Sequence, residues 1–220
     1  YEDAITASRV LGIALTKRGK TGDAEIAMCG VPHHALENYL NKLLEDGFKV
    51  AICDQIETPE EAKKRGGYKA VVNRSVTRII TPGTIIEESL LEAGKPNYLV
   101  SIAIDKKIAS IAAVDLSTSE ISVISLPEEE IINEIARLQP KEILLSDKYR
   151  ASELASLIGT QLNMRISFQV DSFYAGNKCE KNILDFYKIS ALGAIGQLEC
   201  GQISAVGSII EYISLTQKEK

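Results

Sequence analysis

Long apolar runs are missing from this chain of 220 residues: its apolar stretches are strand-sized and broken by charges, which leaves no candidate for a membrane-spanning helix. No leader is expected either, since Tyr1, Glu2, Asp3 and Ala4 offer neither a basic region nor an apolar core. Cysteine is sparse. The four, at positions 29, 53, 179 and 200, show no short repeated spacing, so neither a disulfide framework nor a Cys-x-x-Cys metal knuckle is expected, and a reducing cytoplasm is the compartment that fits. The chain also lacks an initiating methionine and begins inside a helical pattern, so it reads as a piece of a longer protein. What is present, 45% apolar and 25% charged residues, is the composition of a soluble globular protein with the length of one large or two small domains.

A strong basic balance is absent as well. Net charge is −5, which argues against a uniformly basic nucleic-acid binder but leaves local patches open. Residues 1–91 hold 12 Lys/Arg against 13 Asp/Glu and residues 92–220 hold 13 against 17. Within the first part, residues 63–78 contain no acid and carry Lys63, Lys64, Arg65, Lys69, Arg74 and Arg78. Such a band is either a solvated loop and strand edge or a phosphate-contacting surface.

Ala4, Ala7, Ser8 and Leu11 recur at helical spacing with Gly12 as a stop. Residues 12–18 and 25–29 read as short strands around the turn residues Lys20, Thr21, Gly22 and Asp23. An amphipathic helix follows, opened by Pro32, carrying Leu36, Tyr39, Leu40, Leu43 and Leu44 on one face, and closed by Gly47. Phe48 to Ile52 reads as a buried strand; after a Lys-rich loop, the β-branched run Val71 to Ile80 makes another, stopped by Pro82 and Gly83. The first unit, residues 1–91, is therefore a mixed-sheet α+β domain.

Glu92 to Asn97, interrupted by Gly94 and Pro96, reads as a linker over 92–97. Beyond it, residues 98–220 form a second unit. Tyr98–Ile104, Ala109–Leu116 and Glu120–Leu126 are strand-like runs separated by turns short enough for hairpins, an antiparallel meander. Pro127 with Glu128, Glu129 and Glu130 starts a helix bearing Ile131, Ile132, Ile135 and Leu138. Strand 142–145, helix 150–158 ended by Gly159, strand 165–168 and a last helix with Ile203, Val206, Ile209, Ile210 and Ile213 follow. A meander and then alternating β and α units is the order of a ribonuclease H-like α/β sheet.

Four strings carry a resemblance: Leu15-Thr16-Lys17-Arg18-Gly19, Met28-Cys29-Gly30-Val31-Pro32-His33-His34-Ala35, Val50-Ala51-Ile52-Cys53-Asp54-Gln55-Ile56 and Thr81-Pro82-Gly83-Thr84. In this order and spacing they resemble the amino-terminal, mismatch-recognition domain of the bacterial MutS family of DNA mismatch repair proteins. Asp115-Leu116-Ser117-Thr118 and the final helix resemble, more loosely, that family's connector domain, so the likeness spans the chain. The family's Phe-x-Glu mismatch-reading motif is expected just upstream of Tyr1, and its ATPase beyond Lys220.

The resemblance assigns DNA contact to Met28, Gly30, Val31, Pro32 and His33 and to the nearby helix bearing Asn38. Small residues let a backbone approach the minor groove, a methionine is an adaptable apolar surface, and a helix start attracts phosphate. The alternative is that Gly30 and Pro32 simply build the turn into the helix. Lys17, Arg18, Arg74 and Arg78 are the phosphate candidates, with Arg74 and Arg78 expected on one strand face.

Cys29 and His33 are spaced as a metal pair could be, but no second pair lies near, so a buried thiol and a surface or capping imidazole are expected, with no metal site. Asp105, Asp115, Glu120 and Asp171 could form the acidic cluster of a ribonuclease H-like nuclease, which is the rival reading, with a basic accessory domain. Such a nuclease needs an acid on its first strand, and Tyr98–Ile104 has none; structural roles for Asp105 and Asp115 are expected. The reading is thus a non-enzymatic, two-domain part of a MutS protein that helps hold mismatched double-stranded DNA. As the resemblance implies, the connector relays between domains and contributes to docking a MutL-type partner, the full-length protein is a homodimer, and ATP and Mg belong to the ATPase, with no cofactor in these 220 residues.

Overall fold

The computed structural model describes residues 2–21 and 24–217, with the backbone alone at Arg18, Lys20, Thr21 and Ala24. Gly22 and Asp23 of the expected turn lie outside the described residues. The first helical spacing forms α1 (Glu2–Leu11), ended where Gly12 takes φ +65°, a left-handed conformation that costs glycine nothing. β1 (Thr16–Thr21) and β2 (Ala24–Met28) pair antiparallel. Pro32 then leads through a 3-10 turn, His33–Ala35, into α2 (Leu36–Glu45), after which Gly47 turns the chain at φ +76°. β3 (Val50–Gln55) and β4 (Arg74–Ile80) form a second antiparallel pair, with α3 (Pro59–Gly66) inside their connection. Leu40 and Leu44 of α2 pack on Ile80 and Ile85, with Val50 and Ile52 beside them, which makes a small core on one side of the β3–β4 pair.

Several expectations for this unit change; β4, expected from Val71, begins at Arg74. β1 begins at Thr16, four residues later than the apolar pattern suggested. β3 runs Val50–Gln55 and is not buried: only Val50 and Ile52 turn toward the core, and the alternate residues face out, as a strand covered on one side requires. The Lys-rich stretch is partly helix. Thr58 accepts from the Glu61 N–H (3.2 Å) while the Glu61 carboxylate accepts from the Thr58 N–H (2.8 Å), and Pro59 occupies the first turn, so the ends of a short helix are satisfied locally.

The second unit is one sheet in the order β7-β6-β5-β8-β9, built from β5 (Tyr98–Asp105), β6 (Ile108–Asp115), β7 (Glu120–Pro127), β8 (Glu142–Ser146) and β9 (Ile166–Gln169). The first three pair antiparallel, and β8 and β9 join in parallel beyond β5, which is the ribonuclease H-like arrangement expected. Alternation along the central strands divides their side chains between two cores. Val100, Ile102, Ile111, Ile143 and Leu145 pack with Ile131 and Ile135 of α4 (Ile131–Leu138) and Ile158 of α5 (Glu153–Gln161). Leu99, Ala112, Val114 and Leu144 pack on the other face with Ile183 of α6 (Gly176–Tyr187) and Ala205, Ile209 and Tyr212 of α7 (Cys200–Thr216).

Gly159 does not end α5. The helix starts at Glu153, where the Ser152 hydroxyl accepts from the Ala155 N–H (3.2 Å), and runs to Gln161. An interior glycine costs only about 1 kcal/mol, and the fully buried Ile158 beside it holds the turn in place. α6 was not expected at all, because its apolar face is interrupted by Lys178, Glu180, Lys181 and Asn182.

The two units meet at a buried carboxylate. Glu142, at the start of β8 and 3% exposed, accepts from the Tyr212 hydroxyl of α7 (2.7 Å), from the hydroxyls of Ser167 and Thr81, and from the Gly83 N–H (3.2 Å). Lys49 lies 3.5 Å from the same carboxylate and donates to the Tyr212 oxygen at 3.0 Å. Burial, and then the Glu142 charge, push the Tyr212 hydroxyl far above its ordinary pKa. A Cβ on Gly83 would lie 2.8 Å from the Glu142 Cβ and 3.0 Å from a Leu99 methyl, so only glycine admits this approach. Asn97 spans the same seam: its side chain donates to the Pro82 carbonyl (3.1 Å) and its N–H to Asp115 (2.9 Å). Thr81-Pro82-Gly83-Thr84, read in the sequence as a strand stop and a family string, is the joint between the units.

Candidate nucleic-acid interface

Six of the candidate residues fall in one continuous edge of the first unit. β2 ends at Met28, whose carbonyl accepts the Thr16 hydroxyl (2.8 Å), and the Met28 side chain is 38% exposed. Gly30 has open space where a Cβ would stand. Pro32 is extended (φ −62°, ψ 134°), its carbonyl accepts the Ala35 N–H (3.0 Å), and His33 and His34 face solvent. Asn38 is exposed in the first turn of α2, while Val31 is partly turned in. Ala35, at the N-cap of α2, supplies no side-chain cap; its own N–H is bonded to the Pro32 carbonyl and the Leu36 N–H to the His33 carbonyl, so the 3-10 turn caps the helix start. The acid of that turn, Glu37, is engaged by the Ser89 hydroxyl at 2.8 Å.

The four phosphate candidates separate. Lys17 is exposed and paired with Glu25 across the β1–β2 hairpin. The Arg18 side chain lies outside the described residues. Arg74 is exposed, with no ion pair among the described residues. Arg78 is half-buried and grips Glu87 with both terminal nitrogens. Burial would raise the Glu87 carboxyl, but Arg78 and the N–H groups of Glu87 and Ile86 outweigh it and hold it below its ordinary value.

Arg74 and Arg78 do not share a face, which corrects the expectation from their even spacing. The register slips between Ile52 and Cys53: Arg78 stands opposite Ile52 and Val76 opposite Cys53, so Thr77 is an extra residue that reverses the alternation. Arg74 therefore lies opposite Gln55 on the outer side, and Arg78 opposite Ile52 on the core side. A bulge is invisible to counting along one strand.

Two of the acids singled out in the second unit, Asp115 and Asp171, are engaged by its own groups. Asp115 accepts from the Ser117 hydroxyl (2.6 Å) and N–H (2.9 Å) and from the Asn97 N–H; burial would raise its carboxyl, and these bonds lower it. Asp105 closes the β5–β6 hairpin, and Asp171 accepts from the Ser146 hydroxyl. Cys29 is partly buried rather than buried, because it follows directly on the exposed end of β2, and it is a free thiol; His33 is exposed. Among the described residues no three His, Cys, Asp or Glu side chains are grouped to hold a metal ion, and no helix is long and apolar enough to cross a membrane.

Two features besides α6 went unread in the sequence. The string Thr58-Pro59-Glu60-Glu61 is a helix-start signal inside the Lys-rich stretch and could have disclosed α3. Nothing local signals the Glu142 joint, whose partners lie 59 and 61 residues before it and 70 after.

Comparison with known proteins matches residues 1–89 to MutS domain I and residues 97–220 to MutS domain II. Proteins named DNA mismatch repair protein MutS from Rickettsia felis and Rickettsia massiliae are each 67% identical over the whole chain, and one from Rickettsia bellii is 65% identical. The chain spans about a quarter of the length of these curated relatives. With both of its units matched in order, the chain belongs to the MutS family of DNA mismatch repair proteins, as domains I and II.

Proposed function

We propose that this chain works in DNA mismatch repair, its first unit holding mispaired duplex DNA and its second relaying the state of that unit to the rest of a longer MutS protein. The observation that carries the reading is the exposed Met28–Asn38 edge within the stretch that matches MutS domain I. Gly30 lets the backbone approach a groove and Met28 supplies an adaptable apolar surface. Val31, Pro32 and His33 shape the turn, and Asn38 adds a polar contact from the helix. Arg74 is the free phosphate partner, Lys17 and Arg18 are further ones, and Arg78 acts through Glu87 by fixing β4.

The second unit is non-catalytic in this reading, and the ATP and Mg2+ of the family belong to its ATPase domain. A MutL-type partner docks on the connector, the whole protein works as a homodimer, and the cytoplasm is where it does so. The Glu142 joint supports the relay: it ties the Thr81–Gly83 turn to β8 and α7, so a tilt of the first unit is felt by the connector.

Equilibrium titration of the 220-residue chain with paired and mispaired duplexes tests the reading. Weak, salt-dependent and nearly equal binding is expected, because no Phe-x-Glu occurs in residues 1–220 to supply an aromatic wedge and its acid. Met28→Ala and Asn38→Ala should weaken it. A clear mismatch preference would move recognition to the Met28–His33 turn, and no duplex binding at low salt would sink the reading.

A further inference from the structure

The connection between β3 and β4 turns two of its three acids, Glu57 and Glu61, on itself. Glu57 accepts from Arg65 (2.7 Å) and from the Asn73 N–H (2.6 Å), and Arg65 also donates to the Val71 carbonyl (3.1 Å), closing the loop base. Glu61 is bound to the Thr58 N–H and hydroxyl in the α3 cap. Arg65 and then Asn73 hold the Glu57 carboxyl below its ordinary range, and Thr58 does the same for Glu61.

Apart from Glu60, what stands unpaired in water is of the other sign. Lys63, Lys64, Lys69 and Arg74 are exposed, and none has a carboxylate partner among the described residues. Between them Tyr68 is 91% exposed, directly after Gly67, which turns the chain at φ +72°. The Lys63 ammonium sits 3.8 Å from the centre of the Tyr68 ring, and Val71 beyond it is 75% exposed. The ring is thus held by an ordered, capped loop and carries a cation, while apolar surface of this size normally turns inward. A ring beside an ammonium, flanked by free cations, complements a sugar–phosphate strand: the ring lies on deoxyribose and the charges meet phosphates.

We infer that the loop from Glu57 to Arg74 is a second contact for duplex DNA, made by other residues than the Met28–Asn38 edge, with Tyr68 and Lys63 resting on the backbone ridge and Lys64, Lys69 and Arg74 on phosphates. It rests on the reading that the first unit binds duplex DNA, and it names where the outer part of that duplex lies. Being a backbone contact, it serves matched and mismatched DNA alike.

The test is a salt series of binding of the whole 220-residue chain to a fluorescein-labelled, fully paired duplex. Changing Lys63, Lys64 and Lys69 together to Ala should lower affinity about tenfold or more at low salt and flatten the log–log salt slope by about two to three. Tyr68→Ala should weaken binding a few-fold, and Tyr68→Phe should bind like the wild type, since the ring and not the hydroxyl makes the contact. All four side chains are exposed and outside the Glu57–Arg65 and Thr58–Glu61 staples, so the thermal transition should stay in place. Unchanged affinity and slope in the triple variant, while Met28→Ala still weakens binding, would overturn this inference and leave the first reading standing. A wild-type chain that fails to bind would remove both.

Discussion

The connector and the recognition unit solve the same burial problem with different surplus. The five-stranded sheet of the connector is covered on both faces, so its central strands carry fully buried Leu99, Ile102, Ile143, Leu144 and Leu145. The recognition unit has two two-stranded sheets, and its core is little more than Leu40, Leu44, Ile80 and Ile85. Two-stranded pairs are marginal without something to lean on. The recognition unit leans on α2 within and on the Glu142 joint outside, and its remaining surface, from Met28 to Asn38 and around Tyr68, is left facing water. Stability is concentrated in one unit and exposed surface in the other.

The largest effect that would sharpen this contrast is a core truncation. Leu144→Ala, in the middle of a fully buried strand, should cost about 4 kcal/mol, and Leu44→Ala in the smaller core about 2–3 kcal/mol, because a small core collapses more easily around a void. Thermal melts of the two variants decide it; equal losses would mean that the recognition unit is as tightly built as the connector.

Next comes the joint. Glu142→Ala leaves the Tyr212, Ser167 and Thr81 hydroxyls and the Gly83 N–H without their acceptor in a buried seam, which should cost on the order of 3 kcal/mol. Calorimetry of the wild type should give one coupled transition and the variant two, the first unit melting earlier. Residues 98–214 alone should still melt cooperatively, less stable for the exposed Glu142 cluster. A single unshifted transition in Glu142→Ala would show that the units are coupled elsewhere.

A smaller effect concerns the strand that carries Arg78. The folded pKa of Glu87 lies below its ordinary value of 4.5, so the pair stabilises the fold fully above about pH 4.5 and the contribution fades as pH falls through the lower, folded value. The pair is partly exposed, so about 1 kcal/mol or less is at stake. Comparing melting at pH 7 with melting at pH 3 in the wild type and in Arg78→Met isolates it: the loss on acidification should be smaller in the variant. An identical loss would reduce the pair to a surface contact.

Much of this fold was legible because its signals are local. Strand-like runs in Tyr98–Leu126 and the short polar turns between them announced the meander, and the turn residues Lys106 and Ser119 do take positive φ there. The proline-led acids before Ile131 announced α4. Where boundaries moved, a competing local interaction was stronger than the signal: the Ser152 cap for α5, and the Thr58–Glu61 box for α3. The candidate interface was legible in part. Met28 to His33 and Asn38 are close in sequence and stay together in space, whereas the sides taken by Arg74 and Arg78 depend on one extra residue in β4.

By itself the sequence determined the strand meander, most of the helices and the family, since each depends on periodicity or strings read within a few residues. Only the tertiary structure decided that Thr81-Pro82-Gly83-Thr84 is an interdomain joint, that Arg78 belongs to Glu87, and that Tyr68 stands out in water beside Lys63. Pairing, burial and charge compensation are relations between distant residues. A carboxylate becomes a joint only when folding removes its water and brings hydroxyls from both units to replace it.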